Sequence, residues 1–138
     1  MPRNREEEKL VVAFPKLFEA QVLELSEYEQ VVVLAALEHI LAREGINLAR
    51  TPWLKSLGGG LWEFRIGPSS RAIFSRSGLR DLYAFANFRI VVRIFCIFRN
   101  DKIVLLSCYD KLRNGPGRRQ NQAIEAARKM KLKFLERR

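Results

Sequence analysis

Arginine and lysine are the side chains of this sequence best placed to do chemistry, and their distribution is uneven. Residues 61–138 carry 18 of them against 6 Asp/Glu, whereas residues 1–60 carry 7 against 9. The whole chain has a formal charge of +10. A basic half beside a slightly acidic one predicts an anionic partner, nucleic acid being the commonest; a merely solubilising surface is the bland alternative. Arginine suits a phosphate partner because its planar fork pairs with two phosphate oxygens. Other chemistries find less support. Two cysteines and one histidine cannot build a zinc site. Gly58-Gly59-Gly60 is followed by no Lys-Ser/Thr, which argues against a phosphate-binding loop. His39 stands alone and reads as structural, and Trp53 and Trp62 read as packing residues.

The elements that must position these cations follow from pattern. The chain has 138 residues, 48% hydrophobic and 29% charged, which fits one domain over 1–138 with a proper core. No apolar run approaches the ~20 residues of a membrane span, and the charged N-terminus leads into no signal-like apolar region. The expectation is a cytoplasmic protein with no membrane partner. Leu10 to Phe14 is a candidate strand, and Pro15 to Leu25 a short helix. Ser26 with Glu29 forms a capping box that opens a longer helix to Glu44, with Val33, Leu34, Leu37, Ile40 and Leu41 as its apolar stripe. Gly45 is placed to end it. Residues 46–60 read as a connector, broken at Thr51-Pro52 and given an unusual path by three glycines.

Strand patterns dominate the next stretch. Leu61 to Ile66 alternates and is closed by Gly67-Pro68; Arg89 to Phe98 and Ile103 to Tyr109 flank a turn. Arg71 to Phe74 is a further short strand candidate. Asn100-Asp101 tolerates the positive φ angles of a tight hairpin loop. That loop sets Cys96 opposite Leu105 and Cys108 opposite Arg93, so the two cysteines fall on opposite faces and cannot form a disulfide. The last element, Arg118 to Glu136, is a helix with Ala123, Ala127, Met130 and Phe134 as its apolar stripe. The fold class is therefore α+β: an N-terminal strand and two helices packed on an antiparallel sheet of three to five strands, then a basic C-terminal helix.

Lys55-Ser56-Leu57-Gly58-Gly59-Gly60-Leu61-Trp62-Glu63-Phe64-Arg65-Ile66 resembles a "K-x-L-x-x-G-L-W-E-L-R" segment of the RelE/ParE toxin superfamily, in its HigB-like, phage-derived branch. Arg93-Ile94-Phe95 is similar to the strand that follows it there. Val104-Leu105-Leu106 and Tyr109-Asp110-Lys111 are similar to the end of the last strand, and Gly115-Pro116 with the helix through Ala123 to Arg128 to the usual ending. The resemblance spans about residues 10–135. Two features depart from the pattern: the ~22 residues between Ile66 and Arg89, and Asp110-Lys111 where a doubled lysine is common.

The resemblance implies a RelE-like fold and the toxin of a type II toxin–antitoxin pair. Its activity would be ribosome-dependent mRNA cleavage by the RNA's own 2′-hydroxyl, without metal or cofactor. Its partners would be a helix-turn-helix antitoxin, the ribosome and mRNA. By matching positions, Arg65 and Arg93 are the phosphate binders, and Tyr109 and Lys111 the proton-transfer and orienting groups, with Asp110 orienting a neighbouring cation. Arg71, Arg76 and Arg99 extend the basic groove. Arg118, Arg119, Lys129, Lys131 and Lys133, with Arg128, would lie on RNA backbone. The bland readings are an Arg65–Glu63 pair and a core tyrosine with a wet tip. The hairpin register sets Tyr109 and Lys111 on one face and Arg93 on the other, so a bulge or a different register is needed to unite them. The competing readings are a ParE-like inhibitor of DNA gyrase and an inactive member that only binds RNA or protein.

Overall fold

Ser26 starts the principal helix through the reciprocal bonding its spacing to Glu29 predicts. The Glu29 N–H donates to Ser26 Oγ at 3.1 Å, and the Ser26 N–H donates to Glu29 Oε1 at 3.0 Å, satisfying backbone donors that the first turn leaves open. In this computed structural model, which describes residues 10–13, 16–67, 73, 89–114 and 117–136, that helix is α2 (Glu27–Ala36). It passes through a π-helical turn (Leu37–Leu41) into α3 (Ala42–Glu44). α1 (Lys16–Leu23) precedes it, and a 3-10 segment (Gly45–Arg50) follows, entered through Gly45 at φ +51°. Leu34 is corrected to the outside: it is 59% exposed. The stripe centres on Val33, Ala36 and Ile40, and one residue along a helix turns the side chain about 100° away.

Five strands form one sheet in the order β1-β5-β4-β3-β2. They are β1 (Leu10–Ala13), β2 (Leu54–Gly58), β3 (Leu61–Ile66), β4 (Val92–Arg99) and β5 (Lys102–Asp110). β2 to β5 are antiparallel neighbours, while β1 joins the edge in parallel, with Leu10 beside Lys102 and Ala13 beside Leu105. The N-terminal strand is thus part of the sheet rather than packed on it; residues 14–101, with the helices and β2 to β4 among them, make the long connection that parallel pairing requires. β2 lies in the stretch expected to be a connector. Its polar, glycine-ended sequence hides a strand, because half of its side chains face solvent. Gly58, Gly59 and Gly60 all take positive φ, the geometry that folds β2 back onto β3. Of the expected strand Arg71 to Phe74, only Ile73 lies within the described residues; it is helical and fully buried.

The β4–β5 hairpin follows its expected register from Arg99↔Lys102 to Cys96↔Leu105 and then changes. Leu106 has no partner, and Phe95 pairs with Ser107, so every later pair moves by one residue. Cys108 consequently faces Ile94, not Arg93. Cys96 and Cys108 belong to the same face of the sheet, against the expectation of opposite faces, and both are buried free thiols.

The sheet divides two cores. On one face Phe64, Ile66, Ile94, Cys96 and Ile103 meet Phe18, Val32, Val33, Ile40 and Leu41 of the helical layer. On the other, Leu61, Phe95, Val104 and Leu106 meet Ala127, with Ala123, Ile124, Met130 and Phe134 against them. The last three positions and Ala123 come from α5 (Arg118–Glu136), which follows a short α4 (Lys111–Asn114). Among the described residues, no helix is long and apolar enough to cross a membrane.

Candidate anion-binding site

The bulge at Leu106 builds a row of polar side chains. On the α5 side of the sheet, Arg65 of β3 lies opposite Arg93 of β4, and Arg93 lies opposite Tyr109 of β5. Directly opposed residues bring their Cβ atoms to about 5 Å, and like charges so placed repel. Two arginines side by side in the middle of a sheet therefore cost stability, unless an anion lies on them. The expectation that Arg93 and Tyr109 occupy opposite faces is overturned. The physical reason is the extra residue, which returns Tyr109 to the face of Arg93.

Each member of the row has a distinct environment. Arg93 is only 8% exposed. Its Nη1 donates to the Ile66 and Val92 carbonyls at 3.4 and 3.3 Å, while its buried Nε has no partner. Burial lowers its pKa from the ordinary arginine value; neighbouring Arg65 acts the same way and Glu63 opposes them. An arginine remains charged under such pressure. Arg65 is more exposed, and its Nε lies 3.5 Å from Glu63 Oε1. Glu63 is buried, and its other oxygen accepts from Gln120 Nε2 of α5 at 3.4 Å. Burial raises the Tyr109 pKa, with Asp110 adding and Arg119 opposing, so the phenol is held protonated as a hydrogen-bond donor.

The chain leaves the sheet immediately afterwards. The Lys111 N–H donates to the Val91 carbonyl at 2.9 Å, and Lys111 becomes the first residue of α4, half-buried. Asp110 caps that turn: its Oδ1 accepts from the Leu112 and Arg113 N–H groups at 3.0 and 3.2 Å, and Oδ2 lies 3.7 Å from Arg113 Nε. Its role is therefore local, although it does orient a cation. Arg118 and Arg119 occupy the exposed first turn of α5, where the helix end adds its own partial positive charge.

Other expected cations lie apart. Arg99 stands at the hairpin tip, six residues along β4 from Arg93, a distance of ~20 Å at strand rise. Lys131 donates to the Gly59 carbonyl, and Arg128 donates to the Leu57 and Gly58 carbonyls at 2.7 and 3.3 Å. These two cations tie α5 to the β2–β3 turn. Lys129 and Lys133 are exposed. Arg71 and Arg76 lie outside the described residues. Gln120 and Ser107 were not expected at the site, and Glu63 was expected only as the partner of Arg65 in the bland reading, a pair that forms. Strand alternation alone places Glu63 beside Arg65, and only the bulge brings Ser107 to this face.

Among the described residues, no group of three or more His, Cys, Asp or Glu side chains is arranged to hold a metal ion. The fold and the row together define an α+β domain with a cationic cross-strand site between β3, β4 and β5. No protein-family model, curated protein or solved structure matches the chain.

Proposed function

We propose that this chain is the toxin of a toxin–antitoxin pair, a metal-independent endoribonuclease that cuts mRNA on the ribosome and is restrained by its antitoxin. The observation that carries the reading is Arg93, a buried guanidinium beside a second arginine and a protonated tyrosine, with no carboxylate bonded to it among the described residues. Such a group is poised for a ligand that is itself anionic, forked and dry on one side. The resemblance of residues 55–66, 93–95 and 104–111 to the HigB-like toxins supports the same assignment.

The reaction divides among these residues as follows. Arg93 and Arg65 hold the non-bridging oxygens of the scissile phosphate and neutralise charge as it grows. The adjacent ribose 2′-oxygen bonds to phosphorus while its proton passes to a solvent water, and Lys111, at the start of the turn after β5, orients that exchange. The bond from phosphorus to the 5′-oxygen breaks, and Tyr109 gives that oxygen its proton. The products are a 2′,3′-cyclic phosphate and a 5′-hydroxyl. Proton exchange with solvent then restores Tyr109. Glu63 steadies the Arg65 fork without touching RNA.

Induced expression tests the reading. Growth should stop and translated messages should acquire cuts, mapped by primer extension, that disappear when initiation is blocked. Equal cutting of naked RNA would remove the ribosome from the proposal. Arrest with intact mRNA and broken DNA would replace the proposal by gyrase inhibition.

A further inference from the structure

A cavity of about 350 Å³ lies between α1, β5 and α5, beside the arginine row but separate from it. Among the described residues β1 pairs with β5 as far as Leu105, and the cavity borders β5 beyond that point, at Ser107 to Asp110. There a side chain meets β5: the Cys108 N–H donates to Gln21 Oε1 of α1 at 2.8 Å. Ser107, on the cavity wall, is 5% exposed, and its buried hydroxyl has no partner. A buried hydroxyl left unsatisfied is costly, and because Ser107 borders the cavity, a turn of its side chain would offer that hydroxyl to a ligand's polar edge.

The remaining lining says what kind of ligand. Ala123, Ala126 and Met130 of α5 and Leu17 of α1 give apolar walls, and a thioether such as that of Met130 contacts aromatic rings favourably. The Ser107 hydroxyl and the Gln21 amide supply both donor and acceptor capacity. Tyr109 belongs to the row and also lines this cavity, so the two sites share a wall. Arg119 stands at the rim. The acidic groups present are Glu24 and Asp110, and Asp110 is already engaged in capping α4. A flat ring with polar edges and apolar faces, carried on an anionic backbone, matches these features.

We propose that the cavity receives one unstacked nucleobase of the RNA whose backbone lies on Arg65 and Arg93, and so sets which nucleotide stands next to the cut. The proposal rests on the ribonuclease reading for its RNA, but its test separates the two. The full chain, labelled with 15N, is titrated with each of the four nucleoside 5′-monophosphates and with ribose 5-phosphate, which lacks a base. Shifts at the Ser107, Cys108, Ala123 and Met130 amides with at least one nucleotide, and none with ribose 5-phosphate, are expected. Ala126→Trp, which fills the cavity, should weaken that binding at least tenfold and redistribute cleavage sites while RNA is still cut. Ser107→Ala should weaken it several-fold without lowering the melting temperature, since the hydroxyl removed is an unsatisfied one. If RNA is cut but the nucleotides leave these amides unmoved, the cavity proposal fails and the ribonuclease reading stands. If the nucleotides bind but no RNA is cut, the base site stands and the ribonuclease reading fails. Response to ribose 5-phosphate equal to that of the nucleotides overturns base recognition. Pairing of an extended peptide along the β5 edge, seen as new cross-strand contacts at Leu106 to Asp110, would replace it with protein docking.

Discussion

Arg93 on β4 stands directly opposite Tyr109 on β5 because Leu106, three residues before the tyrosine, has no partner across the ladder. A hairpin without that unpaired residue would have set Cys108 against Arg93 and turned the phenol to the helical layer. The bulge is therefore what makes a shared site geometrically available.

Deleting Leu106 should keep Tyr109 opposite Arg93, since Ser107 then follows Leu105 without a gap in the pairing. The loss of one fully buried leucine should cost about 2–5 kcal/mol of stability. Cross-strand proton contacts between residues 93 and 109 measure the first effect, and denaturant unfolding the second. Loss of those contacts in a folded variant would show that the alignment needs the bulge itself and not only the pairing of Phe95 with Ser107.

Arg93→Ala should lower cleavage by ~10²–10³-fold, the usual effect of removing one transition-state charge contact. Among the described residues its bonds run to the Ile66 and Val92 carbonyls, and it is repelled by Arg65, so the melting temperature should change little. Initial rates and circular dichroism on the same preparation separate catalysis from folding. A collapsed melt would reassign Arg93 to structure.

Lys129→Glu with Lys133→Glu should leave the fold intact, because both side chains are exposed. If α5 lies on RNA backbone, ribosome binding should weaken and its salt dependence should flatten by roughly two phosphate contacts' worth. Arg128→Met with Lys131→Met should behave differently, releasing the Leu57, Gly58 and Gly59 carbonyls and lowering the melting temperature. Identical behaviour of the two pairs would contradict this division of labour.

Alkaline pH should destabilise the chain through its thiols. Burial pushes Cys96 and Cys108 up to about 12 from an ordinary 9.0. The unfolded chain therefore releases these protons first as pH rises. The stabilisation is complete below pH 9 and is lost progressively as pH climbs towards 12; Tyr109, also raised, acts in the same direction. Melting temperatures from pH 8 to 11 should fall, and Cys96→Ala with Cys108→Ala should flatten the slope. An unchanged slope would assign the loss to other groups.

Local signals in the sequence carried much of this fold. The capping box at Ser26 and Glu29, the strand Leu61 to Ile66 and the helix Arg118 to Glu136 appear with the expected bounds, since each is written in contiguous residues. A bulge was one of the ways foreseen to unite Arg93 with Tyr109, but its position was not legible, because Leu105 and Leu106 are both apolar and both buried, and alternation gives no mark of an extra residue between them. β2 was missed for the opposite reason: an edge strand with exposed side chains looks like a loop. Glu63 was legible as a neighbour of Arg65, whereas its contact with Gln120, 57 residues away, depends on how α5 crosses the sheet.

Gly67 carries a last consequence. A Cβ built there would meet the Ile90 carbonyl oxygen at 1.9 Å, so the chain departs from β3 and rejoins the sheet before β4 at nearly one point. The ends of the intervening stretch are already held together by the β3–β4 ladder. Gly67 therefore guards a neck that any side chain would force open: Gly67→Ala would have to push the Ile90 backbone away from the end of β3. The strain would be felt first at the pair Ile66 and Val92, one residue from the arginine row.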